Sequence, residues 1–142
     1  MRVLASTDIA LRILVLLARA PTDRPMSVDT LARELGGLSS NHLHKIVQDL
    51  NGLGVTRTLR GMGGGVLLAV PLEQVRLGTL VRALEREQAL VECFRAEGCT
   101  CTLVVGCRLQ GMLAAAQDRF YESLNAHTLA DCVPIGAARE PG

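Results

Sequence analysis

The sequence predicts a mainly α-helical chain: a winged helix-turn-helix with a small β-hairpin wing and a long C-terminal dimerisation helix. Three observations carry this. Residues 28–35 and 40–50 repeat apolar side chains at helical spacing on either side of Gly36-Gly37. Two runs rich in β-branched residues, 55–59 and 66–70, then flank Arg60-Gly-Met-Gly-Gly-Gly65. Further on, Leu109, Met112, Leu113, Ala116, Phe120 and Leu124 form one apolar stripe across about four helical turns.

The elements follow in order. A first helix starts at Thr7 or Asp8, lines one face with Ile9, Ile13, Leu16 and Leu17, and ends before Pro21. Its apolar run 13–18 lies between Arg12 and Arg19 and is far too short to cross a bilayer. Ser27 caps the second helix, whose core positions are Val28, Leu31, Ala32 and Leu35. Gly36-Gly37 stops it. Ser39 or Ser40 caps the third, which places Leu43, Ile46, Val47 and Leu50 inward and stops at Asn51-Gly52. Pro71 closes the hairpin, and a further helix is expected over 77–91. The expected division is 1–76 for the DNA-binding unit, 77–133 for a cluster-binding loop and dimerisation helices, and 134–142 for a disordered tail.

With its apolar face inward, the third helix leaves Ser40, Asn41, His42 and Lys45 outside, with Gln48 or Asp49. Residues near the start of such a helix reach base edges in the major groove. Asn41 and His42 suit hydrogen-bonded readout, and Lys45 suits a phosphate or a guanine. Arg57 and Arg60 extend the set onto the wing, where the side-chain-poor tip lets backbone approach DNA. The net charge is only +1, so the DNA-binding face must come from this local clustering.

The chain of 142 residues has five cysteines, an odd number that rules out a complete set of disulfides within one chain. No secretory signal is read, so a cytoplasmic protein with reduced thiols is expected. Four of the five, Cys93, Cys99, Cys101 and Cys107, share one aperiodic stretch. Iron–sulfur clusters are held mainly by cysteine thiolates, and a loop lets several converge. Zinc is the chemical rival, but its sites usually pair cysteines two to four residues apart, and no two tight pairs occur here. Cys132 stands apart and reads as a small buried apolar residue. No nucleophile–base arrangement appears, and 61–65 lacks the Lys-Ser/Thr of a phosphate loop, so an enzyme is not expected.

Taken together, these residues resemble the Rrf2 family of bacterial transcription regulators. The likeness runs from Met1 to about Val133 and rests on four features. They are Thr7-Asp-Ile-Ala-Leu-Arg12, Ser40-Asn-His-Leu-His-Lys45, Arg60-Gly-Met-Gly-Gly-Gly65, and the cysteine loop before a long helix. Val91-Glu-Cys-Phe94, Cys107-Arg-Leu109 and Thr128-Leu-Ala-Asp131 are most similar to the family's nitric-oxide-sensing repressors.

That resemblance implies a 4Fe-4S or 2Fe-2S cluster, with three cysteine ligands from one subunit and an aspartate from the other. Cys93, Cys107 and Asp8 match those positions, Asp8 acting across a homodimer. Cys101 keeps a five-residue gap to Cys107 and is the middle ligand, with Cys99 as the alternative. It further implies a palindromic double-stranded operator, repression and nitric oxide as signal. The family's regulators of iron–sulfur assembly are the alternative, although Gln110 stands where their pattern has a histidine. A thiol- or zinc-based regulator without a cluster is the other. Asp8 taken alone reads as a helix-start residue that complements the dipole or caps the end.

Overall fold

The computed structural model describes residues 2–135. It is mainly helical, with one antiparallel hairpin, and its order is α1 (Ala5–Arg19), α2 (Val28–Glu34), α3 (Ser40–Gly52), β1 (Thr56–Leu59), β2 (Gly65–Leu68), α4 (Leu77–Leu84) and α5 (Arg108–Asn125). Short 3-10 turns lie at Leu72–Gln74, Glu92–Phe94 and Leu129–Cys132. The fold class expected from the sequence is therefore present. The tail expected at 134–142 lies outside the described residues from 136 onward.

Helix α1 buries Ala10, Ile13, Leu14, Leu17 and Ala18 and stops at Ala20, whose extended backbone is what a following proline favours. It begins before the expected Thr7. Leu4 occupies the N-cap position and has no polar side chain, but its own N–H donates to Glu85 Oε1 at 2.8 Å. A carboxylate 81 residues away thus holds the chain where it enters the helix. Helix α2 starts as read: Ser27 Oγ accepts from the Thr30 N–H at 3.1 Å. It stops at the glycine pair, where Gly36 and Gly37 have φ of 90° and 82° and the Gly37 N–H returns to the Ala32 carbonyl at 2.8 Å. Helix α3 buries the four expected residues, Leu43, Ile46, Val47 and Leu50.

In the hairpin Thr56 faces Leu68 and Leu59 faces Gly65. A bridge joins it to the segment before α2. The Met26 N–H donates to the Val66 carbonyl at 3.0 Å, and the Val66 N–H to the Met26 carbonyl at 2.8 Å. Gly65 allows this approach, because a Cβ there would stand 2.5 Å from the Met26 carbonyl oxygen. Gly65→Ala should push the hairpin off that bridge and cost about 1–3 kcal/mol. A lowered denaturation midpoint would show it, and an unchanged midpoint would count against the bridge.

The helix expected over 77–91 ends at Leu84. Glu85, only 9% exposed, turns its carboxylate to Leu4, and the Gln88 N–H closes a turn onto the Glu85 carbonyl at 2.8 Å. Leu90 and Val91 are half-buried beyond that turn, so their apolar character reflects packing and not a longer helix.

One core runs through the molecule. Ile13, Leu14, Leu31, Leu43, Leu50 and Val66 meet Leu72, Val75, Leu80 and Leu129 in it. Residues 129–133 thus pack with the winged-helix elements. A bridge between Arg76 and Thr128 and a bond from the Leu129 N–H to the Val75 carbonyl guide them there. Helix α5 rests on α4 and buries only Tyr121. Among its stripe residues Leu113, Phe120 and Leu124 are half-buried, while Leu109 and Met112 remain about 60% exposed.

Candidate nucleic-acid interface and cysteine loop

The buried face of α3 fixes what the helix shows outward. Opposite Leu43, Ile46, Val47 and Leu50, helical spacing lines up Asn41, Lys45 and Gln48 as an exposed ridge. His42 is exposed on one flank of this ridge. On the other flank lies a cleft of about 540 Å³ between α3 and the wing, lined in part by His44, Gln48, Thr58 and Arg60. His44, absent from the set expected from the sequence, is the histidine that faces the wing. Ser40 is tied down: its hydroxyl donates to Asp29 Oδ1 of α2 at 3.0 Å and joins the two helices of the motif.

The two arginines of the wing point differently. Thr56 and Thr58 both bond the Asn51 side chain, at 2.6 and 2.9 Å, so they share the inner face of β1. Strand alternation puts Arg57 on the opposite face, whereas Arg60 lines the cleft. Ridge and Arg60 are therefore brought to one side of the molecule, and Arg57 is not. In the sequence Asn51 stands out only as part of the Asn51-Gly52 helix stop. The alternating threonines within reach of it were the available signal.

The cysteine loop is folded back on itself. Cys93 lies in the 3-10 turn Glu92–Phe94, and Cys107 occupies the N-cap position of α5. Between them Thr100 donates to Glu92 Oε1 from its N–H at 2.9 Å and from its hydroxyl at 2.6 Å. These bonds hold the Glu92 carboxyl below its ordinary pKa, and they pin the Cys99–Cys101 stretch beside Cys93. Cys93, Cys101 and Cys107 are half-buried; Cys99 is exposed. Partial burial pushes the Cys93 thiol up, and the nearness of Cys101, Cys99 and Cys107 adds to the rise. Cysteines bind metals as thiolates, so a bound cation would offset the charge of several thiolates held together. The donor set is soft and sulfur-rich, which suits iron–sulfur clusters. Among the described residues, no three His, Cys, Asp or Glu side chains of one chain are gathered into a metal-holding group.

Asp8 lies in the first turn of α1, inside the helix and not at its cap. Arg12 donates to both of its oxygens, at 3.1 and 2.7 Å. This pair is about half exposed, so it is worth little to stability. Its relevance is that Arg12 already holds the carboxylate in one orientation. Cys132 is half-buried against the core, where burial raises its thiol pKa.

Comparison with known proteins agrees with this architecture. The family model described as Rrf2, iron-dependent transcriptional regulator, matches residues 4–134. The HTH-type transcriptional regulator NsrR of Halalkalibacterium halodurans is 38% identical over 131 residues, covering 92% of this chain and 89% of that protein. NsrR of Geobacillus kaustophilus is 38% identical over 125 residues, covering 88% and 84%. Among solved structures, oxidised CymR of Staphylococcus aureus superposes with TM-score 0.69 at 25% identity, covering 92% of this chain and 94% of that one. IscR of T. potens superposes with TM-score 0.69 at 21% identity, covering 92% and 85%, a likeness of fold alone. No described helix is long and apolar enough to cross a membrane.

Proposed function

The chain belongs to the Rrf2 family of transcription regulators, and from that premise we propose that it is a repressor that senses nitric oxide through an iron–sulfur cluster on its cysteine loop. That it is a DNA-binding regulator and not an enzyme follows from the family. The finer reading rests on one observation: four thiols share a folded-back loop that joins the winged-helix elements to the largely exposed α5.

In this reading Cys93, Cys101 and Cys107 hold the cluster, Cys99 is the spare thiol, and Asp8 of the partner subunit completes the set. When bound, the cluster supplies iron that reacts with nitric oxide. The protein's own part is mechanical. The exposed side of α5, with Leu109 and Met112, pairs two copies in a cytoplasmic homodimer. Residues 1–76 read one half-site of a palindromic operator through Asn41, His42, Lys45 and Arg60, while Ser40 holds α3 to α2 and Arg57 lies off this face. Residues 77–133 set the spacing between the half-sites. Asp8 passes from Arg12 of its own chain to the partner's loop, so the angle between the reading helices depends on that contact. Its loss need change little: a hundredfold drop in operator affinity is only about 2.7 kcal/mol.

Protein prepared without oxygen should be brown, should contain iron and acid-labile sulfide, and should bind an operator selected from random DNA. Nitric oxide should abolish colour and binding together. Colourless protein with undiminished binding would refute the reading, and zinc in place of iron would replace it with a zinc-stabilised regulator.

A further inference from the structure

We propose that Asn51 is a positioning residue for DNA binding: it locks the wing to the recognition helix, so that the α3 ridge and Arg60 meet one duplex together. The inference rests on the reading of Arg60 as a DNA contact.

A two-stranded hairpin of four-residue strands cannot hold its own angle against the body of the protein. Each strand must be fixed from outside. For β2 the fixture is the Met26–Val66 bridge. For β1 it is Asn51, in the last turn of α3. Its carbonyl oxygen accepts from the Thr56 hydroxyl at 2.6 Å, and its amide group donates to Thr58 Oγ1 at 2.9 Å. Both ends of one planar amide are used, and they grip successive inner-face positions of the same strand. Thr56 is 3% exposed, so its hydroxyl depends on this partner. Thr58 is exposed and contributes little to the core. The wall of the cleft between ridge and wing, which includes His44, Gln48 and Arg60, is therefore set by Asn51. Because the amide belongs to the recognition helix itself, wing and helix must turn as one body.

The test uses the full-length protein and a duplex carrying an operator selected from random DNA. Affinity is measured against salt for Arg60→Ala, Thr58→Val, Thr58→Ser and Asn51→Ala, beside each denaturation midpoint. Losing one phosphate contact per half-site lowers the slope of log K against log salt by about 0.9 per half-site. Arg60→Ala should show that decrease. Thr58→Val should reproduce most of it, with about tenfold weaker binding at moderate salt and an unchanged midpoint. Thr58→Ser should restore the slope. Asn51→Ala should lower both slope and midpoint. If Arg60→Ala lowers the slope while Thr58→Val and Asn51→Ala keep it, the clamp is wrong and the wing contact stands. If Arg60→Ala leaves the slope unchanged, the wing contact is wrong and the clamp falls with it.

Discussion

Gly78→Val should unfold the protein or leave it far less stable than any surface substitution could. Gly78 sits in the first turn of α4, where the backbone of α5 crosses it. A Cβ there would run into the Tyr121 carbonyl oxygen and would stand 2.8 Å from the Asn125 N atom. These are backbone atoms that no rotamer change can move. The crossing is fixed on both sides. Asn125 Oδ1 accepts from the Thr79 N–H at 2.9 Å, and Arg82 lies over the Tyr121 ring at 4.5 Å while pairing with Asp118 at 2.8 Å. Overpacking a well-filled contact costs about 1–3 kcal/mol and can cost more, and a crossing locked this way leaves little room to relax. Thermal or denaturant unfolding of Gly78→Ala and Gly78→Val should show a loss that grows with side-chain size. Equal midpoints for all three proteins would mean that α4 and α5 do not cross here as closely as the structure has them.

The second large effect concerns the loop. Cys93→Ala and Cys107→Ala should each lower retained iron at least about tenfold and remove the visible absorbance of anaerobic protein. Cys99→Ala should keep both, since Cys99 is the exposed thiol. Cys101→Ala decides the middle ligand: loss of iron assigns Cys101, and retention assigns Cys99. Far-ultraviolet circular dichroism should stay unchanged throughout, because none of these thiols belongs to the buried core. Iron retained by both Cys93→Ala and Cys107→Ala would remove the loop as the cluster site.

The parts legible in the sequence were those decided locally. Ser27 caps because its own hydroxyl reaches a backbone N–H three residues on, and the glycine pair stops α2 because φ must turn positive there. The apolar spacing of α3 states which face is buried before any partner is known. What escaped was decided at a distance. The start of α1 is held by the Glu85 carboxylate, and Glu85 is also the residue at which α4 ends. The facing of Arg57 and Arg60 depends on which side of β1 meets Asn51. The cysteine loop is intermediate: its four thiols are visible in the sequence, but the Glu92–Thr100 bonds that fold it could not be read from periodicity.

The return of residues 129–133 to the core bears on how the chain comes into being. Leu129 is 1% exposed among side chains supplied by the first 80 residues. A nascent chain leaving the ribosome presents α1, α2, α3 and the wing first, and the core they share is filled completely only when residues 129–133 follow. By then the cysteine loop has already emerged. The core behind α3 is therefore completed by a segment that follows the cysteine loop in the chain.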